Sequence, residues 1–249
     1  MGKLDGKVAV VTGASKGIGA AIARYFGAEG ASVVVNYASS KEGADRVVNQ
    51  IVSEGGKAIA VQGDVSKQED ITRLFAETTS AYGPVDVLVN NAGVYEFSPL
   101  DGITSEHYHK HFDINVLGLI LTTKEAAANF SPSGGSIINI SSVVSTLAPP
   151  NTSVYSATKG AVDTITKSLA KELAGRKIRV NAINPGAVET EGTHAAGIVG
   201  TDFEASVVAQ TPLGRIGRPE DIAPVAVFFA SADSGWITGE TINVAGGFR

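Results

Sequence analysis

The chain has 249 residues, 43% hydrophobic and 18% charged, so it can bury a sizeable core and does not have the composition of a disordered polymer. Its net charge of −5 comes with no run of Lys or Arg, which argues against a nucleic-acid or anionic-membrane surface. There is no cysteine, so disulfides and thiol catalysis are excluded, and no apolar run approaches the ~18 residues that span a bilayer.

Met1 is followed by GKLDGK rather than an apolar signal region, so a cytoplasmic location is expected. Short β-branched runs then recur: VAVVT (8–12), SVVVN (32–36), AIAVQ (58–62), VDVLVN (85–90), SIINIS (136–141), IRVNAIN (178–184) and TINV (241–244). They are near-continuously apolar, as strands covered on both faces are. Between them lie stretches with helical spacing, such as GAAIARYFGAEG and GADRVVNQIVSEGG. The alternation predicts one doubly wound α/β domain over 1–249, a parallel sheet with helices on both faces.

The first strand runs into TGASKGIGAAIARYF, a glycine-rich turn and then a helix. Gly13 suits a tight turn off the strand, and Gly17 and Gly19 let a ligand approach the helix start. There the free N–H groups and the helix dipole favour an anion such as a pyrophosphate. The spacing is G-x-x-x-G-x-G, not the better-known G-x-G-x-x-G, and a plain βα turn is the alternative. GASKG also matches the G-x-S-x-G nucleophile elbow, with Ser15 as nucleophile. Against a hydrolase, the only histidines are His107, His109, His111 and His194, and no HGGG-type oxyanion motif is present.

The fourth strand ends in Asn90, Asn91, Ala92 and Gly93, small and amide-bearing residues at the strand edge where open α/β sheets bind ligands. HYHKHF sets His107 and His111 four apart; a solvated helix face is the ordinary reading and a surface metal clip the alternative. Ser141 and Ser142 end the fifth strand. SVYSATKGAV then puts Tyr155 and Lys159 at i and i+4 on one helical face, where packing of the ring with the lysine reaching to water is the ordinary reading and a catalytic pair the alternative. An ammonium ~4 Å from a phenol is worth about 4 kcal/mol at an effective dielectric of about 20, or about three pKa units. Lys159 is therefore expected to bring Tyr155 toward neutral pH, where acid–base catalysis is most efficient.

TGASKGIG, NNAG, the serine pair ending thirteen residues before the tyrosine, YSATK and NPGAVET occur in that order. Together they resemble the short-chain dehydrogenase/reductase family, in particular its bacterial ketoacyl reductase, glucose dehydrogenase and carbonyl reductase branch, over essentially the whole chain. The resemblance implies a seven-stranded Rossmann-like sheet and a nicotinamide cofactor. It implies Tyr155 as catalytic acid/base, Lys159 as its partner, Ser142 as the carbonyl-orienting hydroxyl and Asn115 as the link to a water relay. It implies cofactor contacts from Gly13, Ser15, Lys16, Gly17, Ile18 and Gly19, and from Asn36, Tyr37, Ser39, Ser40 and Lys41. Further contacts are implied for Asp64 and Val65, Asn91 to Gly93, Tyr155 and Lys159, and Pro185, Gly186, Val188 and Thr190. One departure is Ala245, where the family often carries an acid before Gly246–Gly247.

An acid ~20 residues past the glycine turn marks NAD preference, yet the second strand ends in Asn36 and Tyr37 with no acid before Glu42. With Lys16, Ser39, Ser40 and Lys41 nearby, NADP(H) is the expected cofactor, NAD(H) or dual use the alternative. No metal is required. The glycine-bearing segment at about 188–210, with Gly192, Gly197 and Gly200, reads as a substrate lid. Val94, Tyr95, Val144, Leu147, Asn151, His194 and Ile198 are mixed and mostly apolar, which suggests a small ketone or secondary alcohol. A helix apolar on more than one stripe, SATKGAVDTITKSLAKEL, suggests a homotetramer. The competing functions are an idle dinucleotide sensor of the same fold and the Ser15 hydrolase.

Overall fold

Every β-branched run becomes a strand: β1 Val8–Val11, β2 Ser32–Tyr37, β3 Lys57–Gln62, β4 Val87–Asn90, β5 Gly135–Ile140, β6 Ile178–Pro185 and β7 Thr241–Val244. The computed structural model describes residues 2–195 and 200–248. The helices are α1 Gly17–Ala28, α2 Lys41–Ser53, α3 Gln68–Tyr82, α4 Ser105–Phe112, α5 Gly118–Asn129, α6 Val144–Leu147, α7 Ser153–Leu173, α8 Glu191–Ala195, α9 Asp202–Gln210 and α10 Pro219–Ala230. A single π turn, Asp113–Leu117, joins α4 to α5.

The seven strands form one parallel sheet in the order β3-β2-β1-β4-β5-β6-β7. Both faces are covered, which is why the strands read as continuous apolar runs. One face packs α1, α2 and α10 around Phe26, Ile51 and Phe229. The other packs residues of α3, α5 and α7 around Phe75, Leu74 and Ile137. Strand order reverses between β1 and β4, and a crevice outside the carboxyl ends at such a switch point is where doubly wound sheets bind ligands. Gly13 and Asn91–Gly93 leave the sheet at that place.

The segment read from sequence as an aperiodic lid carries two helices, α8 and α9. Thr201 caps α9 by accepting the Glu204 N–H, a start signal the glycines around it obscure. Gly197 and Ile198, named as lid and pocket residues, lie outside the described residues.

Candidate active site

The glycine turn is held by side chains from neighbouring strands. Gly13 has φ +60°, and a Cβ there would stand 2.8 Å from Ala92 Cα. Asn91 Nδ2 donates to the carbonyls of Thr12 and Gly13 at 2.9 and 3.0 Å. That approach requires Gly19, where a Cβ would lie 2.4 Å from the same Nδ2. Thr12 Oγ1 accepts the N–H groups of Asn91 and Ala92 at 3.0 and 3.1 Å. The NNAG motif and the glycine motif are thus two halves of one interlock.

No side chain of Lys16 caps α1. Instead the Gly17 N–H donates to Glu191 Oε2 at 3.0 Å, so a carboxylate sits where a helix N-terminus favours negative charge. The start of α1 thus holds an anionic group, the kind of partner a pyrophosphate oxygen would be. Beside it a cavity of about 440 Å³ opens between Lys16, Arg24, Arg46, Thr190 and Glu191. Ser15 Oγ makes no hydrogen bond to an imidazole among the described residues, and the nearby His194 ring is paired with Glu189 at 2.9 Å.

At the end of β2 the geometry corrects one expectation. Asn36 is buried, and its amide faces the protein. Nδ2 donates to Val61 O and Gly63 O at 3.3 and 3.0 Å, and Oδ1 accepts the Gly13 N–H at 3.2 Å. Tyr37 is also buried, Ser39 and Ser40 are exposed, and the Lys41 ammonium is paired with Asp45 at 2.6 Å. Lys16 is the exposed cation of the glycine turn itself. Asp64 Oδ1 accepts from the Ser66 N–H and hydroxyl at 3.0 and 2.8 Å, and Val65 is buried beside it. On the far bank, Thr190 and Thr193 bond each other's backbone within a tight turn, and Gly186 lies against Ala245.

The catalytic candidates come together at the carboxyl ends of β4 and β5. Ser142 and Lys159 are buried, and the Tyr155 ring packs near Tyr95, Phe97 and His111 at 6.3, 6.2 and 6.5 Å. Burial pushes the Tyr155 phenol up to about 12, with the Ser142 hydroxyl pulling it back and Tyr95 adding to the rise. Burial also brings the Lys159 ammonium down to about 8, opposed by Asp163. The expected lowering of Tyr155 by Lys159 is therefore absent. The ammonium donates to Ile140 O at 2.9 Å, its Nζ is 5.7 Å from the Tyr155 ring centroid, and burial sets the direction at both groups. Asn115 does not point to open water: Nδ2 donates to Val94 O at 2.9 Å and to Thr158 Oγ1 at 3.1 Å, and Oδ1 accepts the Val94 N–H at 2.8 Å.

Sequence reasoning missed a buried polar chain beneath this floor. Asn90 Nδ2 donates to Thr123 Oγ1 and Asn139 Oδ1, both at 2.9 Å, and Asn139 Nδ2 donates to Thr166 Oγ1 at 2.8 Å. It ties β4 and β5 to α5 and α7, and its signal was the asparagine inside the otherwise apolar IINI run. Glu191 was missed as well, since nothing in VETEG distinguishes it from a solvated acid. The rings of His107 and His111 are turned to backbone groups; among the described residues no group of three or more His, Cys, Asp or Glu is placed to hold a metal, and no helix is long and apolar enough to cross a membrane.

A family model described as enoyl-(acyl carrier protein) reductase matches residues 13–249. The chain is 59% identical, over all of both sequences, to an uncharacterized oxidoreductase of Methylorubrum extorquens. It is 41% identical to a probable tetrahydroxynaphthalene reductase of Zymoseptoria tritici, covering 98% of this chain and 95% of that one. Among solved structures it superposes on a short-chain dehydrogenase/reductase from Serratia marcescens with TM-score 0.93 and 32% identity, covering 99% of each chain.

Proposed function

Since the chain belongs to the short-chain dehydrogenase/reductase family of oxidoreductases, we propose that it is an NADP(H)-dependent enzyme that moves a hydride between the nicotinamide and a ketone or secondary alcohol. The observation that carries this reading is the trio of buried Ser142, half-buried Tyr155 and buried Lys159 at the carboxyl ends of the sheet strands. A dinucleotide sensor has no need of that trio, which disfavours the idle alternative.

The residues divide the work. Gly13, Ser15, Lys16, Gly17, Ile18 and Gly19 would hold the pyrophosphate end of the cofactor. Asp64, Val65, Asn91 to Gly93, Pro185, Gly186, Val188 and Thr190 would border the rest. The nicotinamide, when bound, supplies or receives the hydride. Ser142 and Tyr155 hold the substrate oxygen, so charge developing there meets donors already in place. With its phenol pushed up to about 12, Tyr155 is protonated at neutral pH. In ketone reduction it therefore starts as a loaded acid and passes its proton to the carbonyl oxygen as the carbon is reduced. In alcohol oxidation the phenolate takes the proton back. The buried Lys159 ammonium, held on Ile140 O with its Nζ 5.7 Å from the Tyr155 ring centroid, is the cation of the site.

The NADP(H) preference rests on the lack of an acid at the end of β2 and on the exposed Lys16, Ser39 and Ser40. Assembly as a homotetramer is supported by Leu117 and Ile120, 44% and 39% exposed beside and on α5, and by Trp236, fully exposed near β7. The deciding experiment is a panel of ketones with NADPH and NADH, followed at the nicotinamide absorbance band. Turnover with a higher kcat/KM for NADPH is expected. No hydride transfer to any ketone, with cofactor bound, would leave the sensor reading standing instead.

A further inference from the structure

His107, His111 and Asn115 recur at four-residue intervals along α4 and the π turn, so their side chains rise from one helical face. All three reach the same stretch of backbone. Asn115 takes both the N–H and the C=O of Val94. His111 Nε2 accepts the Glu96 N–H at 2.9 Å, and His107 Nε2 donates to the Glu96 carbonyl at 3.3 Å. His111 Nδ1 donates to His107 O at 2.8 Å, which fixes the tautomer and leaves Nε2 its lone pair. His111 is fully buried, and burial holds it below the ordinary histidine pKa, in the neutral form that can accept.

Residues 91–99 belong to no strand, yet the backbone groups of Val94 and Glu96 are satisfied as a neighbouring strand would satisfy them. The alternate residues do something else. Tyr95 and Phe97 turn their rings to Tyr155 and remain 36% and 49% exposed, so each keeps an open face. The Glu96 carboxylate is drawn away to Lys110.

We propose that His107 and His111 are positioning residues that fix the Glu96 peptide, so that Tyr95 and Phe97 form a rigid aromatic wall beside Tyr155 that selects flat, ring-bearing ketones over short aliphatic ones. The inference rests on the oxidoreductase reading and names the substrate class for that same site.

The test compares kcat/KM for 1-tetralone and 2-butanone with NADPH. His111→Phe keeps a ring and removes the acceptor; the tetralone-to-butanone ratio is expected to fall about tenfold, the scale on which an apolar pocket discriminates. His111→Gln, whose Oε1 accepts the same N–H, keeps the ratio within about threefold of the original. In a Phe97→Ala background, His111→Phe lowers the ratio no further, because the two act through one wall. An unchanged ratio in His111→Phe, or a glutamine variant as impaired as the phenylalanine one, overturns the proposal. Should His111→Phe not fold, the partly exposed His107→Phe carries the same expectation. Amide exchange at Glu96 is read on these proteins without substrate: slow in the original and in His111→Gln, fast in His111→Phe. Equal exchange rates also overturn the positioning role. If the original protein reduces neither ketone, the substrate class proposed here is overturned, the wider ketone panel decides the oxidoreductase reading, and the exchange rates still decide whether His107 and His111 hold the segment.

Discussion

The two banks of the site are built on opposite principles. The inner bank, formed by the ends of β4 and β5, the 91–97 segment and α7, is held by buried polar groups bonded to partners distant in sequence, as with the Asn90 amide on the Asn139 side chain and the Lys159 ammonium on Ile140 O. The outer bank is anchored at its base by backbone bonds of Gly186 to Val244 and of Ala187 and Glu189 to Gly217, but from Thr190 to Ala195 it is held mainly by neighbours in sequence, Thr190 with Thr193 and Glu189 with His194, and by one exposed carboxylate on Gly17. Buried hydrogen bonds are costly to break and exposed ones cheap. The inner bank is therefore a fixed floor, and the tip of the outer one is the cheaper to open.

The contrast breaks first at Tyr155. Tyr155→Phe leaves the ring packed against Tyr95 and Phe97 and removes only the transferable proton. Turnover is expected to fall by about 10²–10⁴ with cofactor affinity nearly unchanged, measured by steady-state kinetics beside cofactor titration. Retained turnover would remove Tyr155 from the reaction.

Lys159 comes next. A lysine whose folded-state pKa is depressed destabilises the fold while both states are protonated. That penalty is full below about 8 and disappears as pH rises from about 8 through 10.5, because there the unfolded chain alone binds the proton. The fall from 10.5 to about 8 corresponds to about 3 kcal/mol. Lys159→Met loses the bond to Ile140 O, worth about 1 kcal/mol, so a net gain of about 2 kcal/mol is expected at pH 7. The gain should shrink toward pH 10 in denaturant titrations. A variant less stable at pH 7 would show that the ammonium is better solvated than its burial implies.

Asn36 sharpens the boundary between fold and cofactor recognition. Aspartate there cannot donate to Val61 O or Gly63 O and would set a buried carboxylate against two carbonyls. Asn36→Asp is expected to lose about 1–3 kcal/mol of stability, beyond any shift from NADPH toward NADH. An unchanged unfolding midpoint would show that the side chain can turn outward to the ribose.

The smallest effect belongs to the outer bank. Glu191→Gln removes the charge from the glycine turn. A helix-terminus charge is worth about 0.3–1 kcal/mol, so NADPH and NADH should both bind about twofold to fivefold tighter by fluorescence titration. Weaker binding would mean that Glu191 fastens the lid over the cofactor rather than competing with it.

The order of the family's motifs pointed to Ser142, Tyr155 and Lys159 as a set, and the sequence by itself determined the strand runs, their alternation with helices, the glycine turn and the placing of Tyr155 and Lys159 on one helical face. Each of these is written locally, in β-branched runs, in turn chemistry or in the i,i+4 spacing of one helix. Only the tertiary structure decided which partners those residues meet. It turned Asn36 inward to Val61 and Gly63, put the Lys159 ammonium on Ile140 O, and set Glu191 on Gly17 across 174 residues. It also turned His107 and His111 from an apparent surface pair into clamps on Glu96. Burial and long-range hydrogen bonding depend on which elements pack together, and they set both the desolvation that raises Tyr155 and lowers Lys159 and the backbone groups left for a side chain to satisfy.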